Sequence, residues 1–552
     1  MDTKRTITEV LTVGLLAAVL TAYGLVQARF FVPACQETDT AGYLILAERM
    51  ARSGPVAERE EDLFRHQSHV WVENERGEVL PKYTPGYPFL MAAAMRPGGE
   101  TAAFAVSPVA GGLALVGAFL LFRLWLSPWP AVMATFILAS NPMFLSYTNY
   151  PLSHAANTCV VTWGMFFLWK WMRRGGIGWA VAAGLTLGCA PLIRPTSAVL
   201  LGSAVAAGVT VLFVRPGRGR SWLQAVALVA SCAVGIGVLM RYNLEVFGDP
   251  IRTGYALTGE QWAYSFARLN RRIVLTIHSL DHEGLPLFFV LGILGIFLNP
   301  RRADRWLLGL WVFPILAIYT CYYWGTEDWG MAYTRFFICL LPAFIGSAFV
   351  LLELLCVSTR VRCAAMALLC VVVFVSRYNH ALGKLADVSA GSVARKQETA
   401  ADQAARHLKN GAAIFAQEPV HYHIGRAKDF RLYPLTAFDY HRALAELHTY
   451  GKMQPRQQPL RTEKITAFYQ ANRGRLNELK RELVDKFLNE ERQVAFLIEQ
   501  DRLPVEQQSL GGGLRFERLS EWEMPSSGWR RAGGRQRYGT FNVAWGLYEV
   551  NR

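Results

Sequence analysis

The sequence is poor in charged residues. Asp, Glu, Lys and Arg make up only 18% of its 552 residues, whereas 52% are hydrophobic and the mean hydropathy is +0.19. Soluble domains usually carry about 25% charged residues. Long apolar stretches also recur, and stretches of about 17–25 residues match a hydrocarbon core about 30 Å thick. The composition therefore excludes an ordinary soluble enzyme and predicts a chain that crosses a membrane repeatedly.

Acidic residues and cysteine motifs are both scarce. The interiors of the apolar segments contain almost no acids, and Glu353, near one end of its segment, is the exception. Ion-driven transporters place ionisable groups at mid-membrane, because those groups form the pathway, so this scarcity disfavours such a transporter. The nine cysteines match no zinc or haem spacing, and none follows residue 380. A disulfide framework in the polar tail is therefore excluded.

Eleven segments are predicted to be membrane helices. They are residues 8–31, 102–126, 129–147, 152–172, 177–192, 196–214, 222–240, 285–299, 304–324, 335–356 and 361–377. The first is too long for a signal-peptide core and is predicted to be retained. Residues 84–95 are apolar but too short to span, which predicts a partial or surface-lying helix.

The net charge of +15 comes largely from basic residues in short loops. If the N-terminus is cytoplasmic, every inner loop is basic, as the positive-inside rule requires. The basic residues of these loops are Arg123, Lys170, Arg173, Arg174, Arg215, Arg218, Arg220, Arg301, Arg302, Arg305, Arg360 and Arg362. This distribution explains the charge without a nucleic-acid partner. It predicts a multi-pass protein of the cytoplasmic (inner) membrane with an extracytoplasmic C-terminus.

The predicted fold class is an all-α polytopic membrane protein, with about 11 transmembrane helices and a small C-terminal extracytoplasmic α/β domain. Residues 1–379 form the membrane domain, including a large outer loop at 32–83, and residues 380–552 form the soluble domain. Within the soluble domain, helices are predicted near 397–409 and 463–488. Strands are predicted at 412–416, 493–498 and, from the alternation in "VHYHI", at 420–424.

Polar side chains gather in the predicted outer loops. The first loop contributes Glu37, Asp39, Lys82 and Tyr83, and later outer segments contribute His154, Arg194, the stretch 241–258, Glu327, Asp328 and Arg335. Aspartate is a favoured helix-start residue, which would by itself explain Asp39. Arg194 and Arg335 could be interfacial anchors. Arginine is nevertheless disfavoured on the outer side, so a role in binding an anion is the competing explanation.

Four segments resemble a known family. "ETDTAGYLILAERM" and "PKYTPGYPFL" look like the first outer loop of GT-C superfamily membrane glycosyltransferases. The likeness is to the protein O-mannosyltransferase and lipid A aminoarabinose transferase branch. "YNLEVFGDPIRTGY" and "WGMAYTRFFICLLPAF" resemble segments of uncharacterised bacterial members. The resemblance covers roughly residues 8–345 and leaves out the tail after residue 380.

The resemblance implies a glycosyltransferase that moves a hexose or pentose from a polyprenyl-phosphate donor to a hydroxyl on a lipid, glycan or protein acceptor. By position it implies that Asp39 is the catalytic base and that Lys82, Arg194 and Arg335 bind the donor phosphate. The residues that would line the site are Glu37, Tyr83, His154, Glu327 and Asp328. Related transferases often have "KPP" where this chain has "KYTPG", and some have an acid near the turn that here holds His154.

No cofactor follows from the motifs, although two groups could bind a divalent metal. His66 and His69 form HxxH, and His278, Asp281 and His282 have helical spacing, but neither group is a complete ligand set. Two other functions remain open. One is a transporter or flippase of a lipid-linked saccharide, and the other is a non-catalytic envelope assembly protein.

Overall fold

A computed structural model provides the coordinates of the chain. It describes residues 3–35, 38–65, 70–214, 218–260, 264–283, 287–322, 333–355, 358–390, 393–416, 418–435, 460–499, 514–532 and 535–551. Six residues singled out above lie outside the described residues: Glu37, His66, His69, Arg215, Glu327 and Asp328.

Helices dominate the first 390 residues. They are α1 (Thr3–Phe30), α2 (Thr38–Ala51), α3 (Gly86–Trp125), α4 (Pro128–Ala139), α5 (Pro142–Asn149), α6 (Ser153–Arg174), α7 (Ile177–Ile193), α8 (Leu201–Val214), α9 (Arg218–Phe247), α10 (Gly254–Leu257), α11 (Leu269–Glu283), α12 (Phe288–Leu298), α13 (Arg302–Cys321), α14 (Leu341–Leu355) and α15 (Thr359–Ala390). Short 3-10 turns at Pro195–Leu200 and Arg335–Leu340 lead into α8 and α14.

Each of the eleven predicted segments contains a helix, which confirms a polytopic all-α membrane domain. Seven helical stretches among the described residues are long and apolar enough to cross a membrane, or eight if the bent pair α4–α5 is one span. That pair bends by 59°. The apolar helices α7 and α12 are shorter than a full span, so the predicted number of eleven exceeds what length and composition alone support.

The short apolar stretch at 84–95 begins a longer helix than expected. It opens α3, which continues to Trp125 with a break at Gly99. Gly99 has a φ of 68°, a left-handed conformation that glycine adopts without strain. The break lies between the short stretch at 84–95 and the predicted span at 102–126. These two predicted segments are therefore parts of one kinked helix.

A polar cluster surrounds Asp304, in the first turn of α13. Arg173 Nη2 lies 2.7 Å from Asp304 Oδ2, Arg301 Nη1 lies 4.0 Å from the same atom, and Trp169 Nε1 donates to Oδ1 at 2.8 Å. The C-terminal end of α6 and the N-terminal end of α13 therefore lie together.

Two sheets lie outside the helical bundle. The first loop, residues 32–83, contains the antiparallel strands β1 (Glu58–Arg59), β2 (Trp71–Glu73) and β3 (Glu78–Pro81), in the order β1-β3-β2. The C-terminal part contains α16 (Val393–His407), β4 (Ala413–Ala416), α17 (Glu418–Ala427), β5 (Arg431–Pro434), α18 (Leu460–Ala471), α19 (Leu476–Asn489), β6 (Val494–Glu499), β7 (Arg515–Ala532) and β8 (Arg535–Asn551).

The C-terminal part is an α/β fold around a mixed sheet of order β5-β4-β6-β8-β7. β4 pairs in parallel with β5 and β6, whereas β8 pairs antiparallel with β6 and β7. Two sequence predictions are corrected. "VHYHI" lies in helix α17, where its buried Tyr422 and Ile424 pack against neighbouring elements, and the stretch 463–488 is two helices, α18 and α19.

The C-terminal domain is attached to the first loop by specific contacts. Tyr433 Oη donates to Asp62 Oδ2 at 2.8 Å, and Lys464 Nζ contacts the buried Glu73 at 2.5 Å. Phe64 packs edge-on against Phe468, with ring centroids 5.1 Å apart. The first loop thus joins the membrane helices to the C-terminal sheet.

Helices α7 and α9 pack closely against each other at two glycine residues. A Cβ at Gly188 would overlap the backbone of Cys232, and a Cβ at Gly235 would overlap the backbone of Gly188. Small residues allow such close backbone contact between membrane helices. Gly237, two residues further along α9, has open space around it.

Gly235→Leu is therefore expected to separate α7 from α9 and lower the free energy of unfolding by about 1–3 kcal/mol, the usual cost of overpacking. Gly237→Leu, the matched control on the same helix, is expected to leave it unchanged. Thermal unfolding of both variants in one detergent measures the difference. Equal Tm values would contradict the role of Gly235.

Candidate active site

Asp39 lies in the first turn of α2, where the helix dipole favours a negative charge. Its Oδ1 accepts a hydrogen bond from Tyr83 Oη at 2.6 Å, and Arg335 Nη2 lies 3.5 Å from its Oδ2. The Asp39 side chain is 26% exposed, whereas that of Arg335 is only 10% exposed. The carboxylate is thus held by a hydroxyl and a guanidinium while remaining open to a bound molecule.

Tyr83 is fixed by close packing on α2. The centroid of its ring lies 4.1 Å from that of Tyr43, and a Cβ at Gly42 would overlap the Tyr83 ring. Burial raises the pKa of Tyr83 well above its usual value, and the nearby Asp39 carboxylate raises it further. The phenol therefore stays protonated at neutral pH and acts as a donor to Asp39.

Arg194 is the residue after α7, and its guanidinium points into the same region. Nη1 donates to Ser153 Oγ at 3.1 Å and lies 3.4 Å from His154 Nε2, while Nη2 donates to Tyr319 Oη at 3.1 Å. The guanidinium also lies 5.3 Å from the centre of the Phe336 ring. Among the described residues no carboxylate pairs with Arg194, so its charge is held by neutral groups.

His154 is buried between the two arginines. It lies within electrostatic range of Arg194, Arg335 and Asp39, and its ring packs edge-on against Phe336 at 5.5 Å. The structure therefore brings together Asp39, Tyr83, His154, Arg194 and Arg335. All five come from the ends of helices or from the turns beside them, so they share one end of the bundle.

Lys82 lies next to this cluster but already has a carboxylate partner. Its ammonium pairs with Glu260, and the two side chains are 4% and 6% exposed. Tyr322 Oη donates to the other Glu260 oxygen at 3.4 Å. Glycine at position 254 lets α10 approach, because a Cβ there would overlap the Lys82 backbone. The charge of Lys82 is thus neutralised by a carboxylate, whereas Arg194 has no carboxylate partner among the described residues.

Several residues of this cluster were not predicted from the sequence. Glu260 lies two positions beyond the stretch 241–258. Its acidic side chain in a predicted outer loop is the sequence feature that could have identified it. Tyr319 was hidden inside a predicted span, and nothing in a single sequence marks its hydroxyl. Tyr43 belongs to the apolar face of α2, yet its hydroxyl lies 3.0 Å from Ser153 Oγ.

A metal centre does not emerge from the described part of the chain. There, no group of three or more His, Cys, Asp and Glu side chains is arranged to hold an ion. His278 and Asp281 lie on α11, away from a third described ligand. The described residues therefore do not by themselves form a metal site.

The fold is GT-C-like, as the first-loop motifs led us to expect. The chain resembles ArnT from Cupriavidus metallidurans bound to undecaprenyl phosphate, with a TM-score of 0.53 over 97% of this chain and 98% of that one, at 12% identity. It also resembles the apo oligosaccharyltransferase of Archaeoglobus fulgidus, with a TM-score of 0.51 over 90% of this chain and 71% of that one, at 14% identity.

A second structure of the Archaeoglobus fulgidus enzyme, AglB with an inhibitory peptide and a dolichol-phosphate, gives a TM-score of 0.50 at 14% identity, over 90% of this chain and 70% of that one. At these identities the likeness establishes the fold. The sequence matches no protein-family model and no curated protein. The shared fold, in a chain with many apolar helices, defines a multi-pass membrane protein.

Glu260→Gln is expected to destabilise the protein by about 3–5 kcal/mol, because it leaves the Lys82 ammonium buried without its counter-ion. The double variant Lys82→Met/Glu260→Met should recover much of this loss, since no charge then remains buried. Thermal unfolding of the single and double variants measures the coupling.

Glu245→Gln is the matched control, because it breaks the exposed Arg241–Glu245 pair and should change the free energy of unfolding by less than about 1 kcal/mol. A double variant no more stable than Glu260→Gln would show that the Lys82–Glu260 pair is not the source of the effect.

Proposed function

We propose that the protein is a glycosyltransferase that moves a sugar from a polyprenyl-phosphate donor to a hydroxyl acceptor at the outer face of the cytoplasmic membrane. The observation that carries this proposal is a part-exposed carboxylate, Asp39, grouped with Arg335 and Arg194 at one end of an apolar helical bundle. Two fold neighbours support a lipid-phosphate donor, because their structures contain undecaprenyl phosphate and dolichol-phosphate.

Asp39 is the general base in this proposal. A hydroxyl has a pKa far above neutral, so it attacks a carbon efficiently only if a base accepts its proton as the new bond forms. The acceptor oxygen bonds to the anomeric carbon, and its proton passes to Asp39. The bond from that carbon to the phosphate oxygen breaks, and the oxygen keeps the electron pair. Tyr83 and Arg335 both contact the carboxylate and fix its orientation.

The leaving polyprenyl phosphate gains negative charge at the bilayer surface, and cations nearby stabilise that charge. Arg194 is best suited, because its described partners are all neutral and an incoming phosphate displaces no carboxylate from it. Its planar fork also matches phosphate oxygens. Arg335 can bridge the phosphate and Asp39. Lys82 can contact phosphate only by sharing its charge with Glu260.

Asp39→Asn is expected to lower sugar transfer at least about a hundredfold, the usual scale for loss of a general base. Glu58→Gln is the matched control, since Glu58 pairs with Arg49 at the opposite end of α2. Mass spectrometry of envelope glycolipids and glycoproteins from a deletion strain carrying each variant gives the measurement. Full product with Asp39→Asn would reject the catalytic role of this residue.

Reconstituted vesicles test the reaction class. We expect a new glycosidic bond on the acceptor after donor lipid is added. Movement of the sugar lipid across the bilayer without such a bond would instead identify a transporter or flippase.

Arg194→Gln is expected to weaken binding of undecaprenyl phosphate by about 10–100-fold, because a hydrogen bond to a charged group contributes about 1.5–3 kcal/mol. Arg194→Lys should fall between the wild type and Arg194→Gln, since an ammonium keeps the charge but loses the fork. Binding in lipid nanodiscs gives the dissociation constants.

The exposed Arg76, in the first loop, is the control for Arg194, and Arg76→Gln should bind like the wild type. Unchanged binding by Arg194→Gln would remove Arg194 from the phosphate site.

A further inference from the structure

Helix α17 of the C-terminal domain reaches the segment that carries Asp39. His423 Nε2 lies 2.8 Å from the backbone nitrogen of Cys35 and accepts its hydrogen bond. Cys35 is fully buried, and it precedes Asp39 by four residues. A side chain nearly 390 positions away in the sequence therefore holds the entry to α2.

The neighbouring side chain on α17 makes a second contact with the membrane domain. Tyr422 is buried and hydrogen-bonds to Glu100, the residue directly after the break in α3 at Gly99. The first half of α3 begins three residues after Tyr83, which donates to Asp39. Helix α17 is thus hydrogen-bonded both to the segment that precedes Asp39 and to α3, the helix that follows Tyr83.

Side-chain packing fills part of the space between α17 and α2, where Tyr422 belongs to the same buried cluster as Ala41. A cavity of about 250 Å³ lies beside this contact, lined by Thr38 and Ala41 on one side and by His421 and Gly425 on the other. Directional contacts therefore add to packing in setting the position of α2 relative to α17. The His423–Cys35 hydrogen bond is such a contact, and it lies closest in sequence to Asp39.

The protonation state of His423 suits this contact. The Cys35 amide is a donor, so Nε2 must present its lone pair and the proton must sit on Nδ1. Burial lowers the pKa of His423 to about 4, which keeps the ring neutral under ordinary conditions. A buried backbone N–H without a partner is rare and unfavourable. Loss of the imidazole would therefore favour a shift of the Cys35 segment.

We propose that His423 is a positioning residue: through the buried Cys35 amide, the C-terminal domain holds the N-terminus of α2 so that Asp39 faces the bound substrates. This inference rests on the proposed function, because Asp39 must do chemistry for its position to matter. It gives the C-terminal domain a part in the reaction without placing any of its residues in contact with the substrates.

The first test compares His423→Leu with His423→Gln in the full-length protein. Leucine removes the acceptor, whereas the glutamine Oε1 can take the place of Nε2. We expect hydrogen–deuterium exchange at the Cys35 amide to rise at least about tenfold in His423→Leu and to stay near the wild-type rate in His423→Gln. Equal protection in His423→Leu would overturn the proposal, whatever reaction the protein performs.

The second test measures sugar transfer by the same variants in the deletion strain. Small misplacements of a reacting group reduce rates strongly, so we expect a loss of about tenfold or more in His423→Leu and rescue in His423→Gln. Binding of undecaprenyl phosphate in nanodiscs should change less than about twofold, because Arg194 and Arg335 remain. A parallel loss of binding would indicate general misfolding and would reject the positioning role.

Tyr433→Phe is the matched control. It removes another hydrogen bond between the C-terminal domain and the first loop, that to Asp62, at a place remote in sequence from Asp39. We expect near-wild-type transfer and unchanged protection of Cys35. Equal loss of transfer in Tyr433→Phe would mean that docking in general, and not His423, sets the activity.

The two proposals fail in distinguishable ways. If wild-type protein forms no glycosidic bond, the proposed function is rejected, while the exchange data still report on the His423 contact. If wild type is active and His423→Leu is equally active, only the positioning role is rejected.

Discussion

Three cationic side chains, those of Lys82, Arg194 and Arg335, lie at one end of the helical bundle. The site depends on how the charge of each one is balanced by its neighbours. Lys82 is paired with Glu260 in a buried ion pair, and Arg335 faces Asp39. Arg194 is held by hydroxyl, imidazole and aromatic groups, without a carboxylate among the described residues. Desolvated charge is unfavourable unless it is paired, so a guanidinium held by neutral partners favours the arrival of an anion. An anion bound beside Arg194 would pair the one of these three charges that has no carboxylate partner among the described residues.

This constraint also explains why the first loop is folded so tightly. Asp39 and Tyr83 belong to segments on either side of a three-stranded sheet, yet they must meet within 2.6 Å. The close contacts of Gly42 with Tyr83 and of Gly254 with Lys82 leave no space for a side chain at either glycine. The C-terminal domain adds contacts to Asp62, Glu73, Cys35 and Glu100. Local packing and distant docking together determine where Asp39 lies.

The sequence predicted the membrane segments well because they depend on a local property. Apolar runs of sufficient length must form helices in a bilayer, where each backbone group needs an internal partner. Secondary structure was predicted less well where a short sequence pattern fits more than one structure. "VHYHI" alternates like a strand but lies in α17, because the buried side chains of a short helix can produce the same pattern over five residues. Likewise, the apolar stretch at 84–95 gave no sign that it continues through Gly99 into the next helix.

By itself the sequence determined the many apolar helices, the α/β character of the tail and the presence of Asp39, Arg194 and Arg335 near helix ends. Hydropathy, periodicity and a resemblance in short motifs are enough for these, since each is read within one segment. Only the tertiary structure decided that Lys82 is paired with Glu260, that Arg194 has neutral partners and that His423 contacts Cys35. Those facts depend on groups that are distant in sequence and are brought within hydrogen-bonding distance by folding, and no local pattern records such a distance.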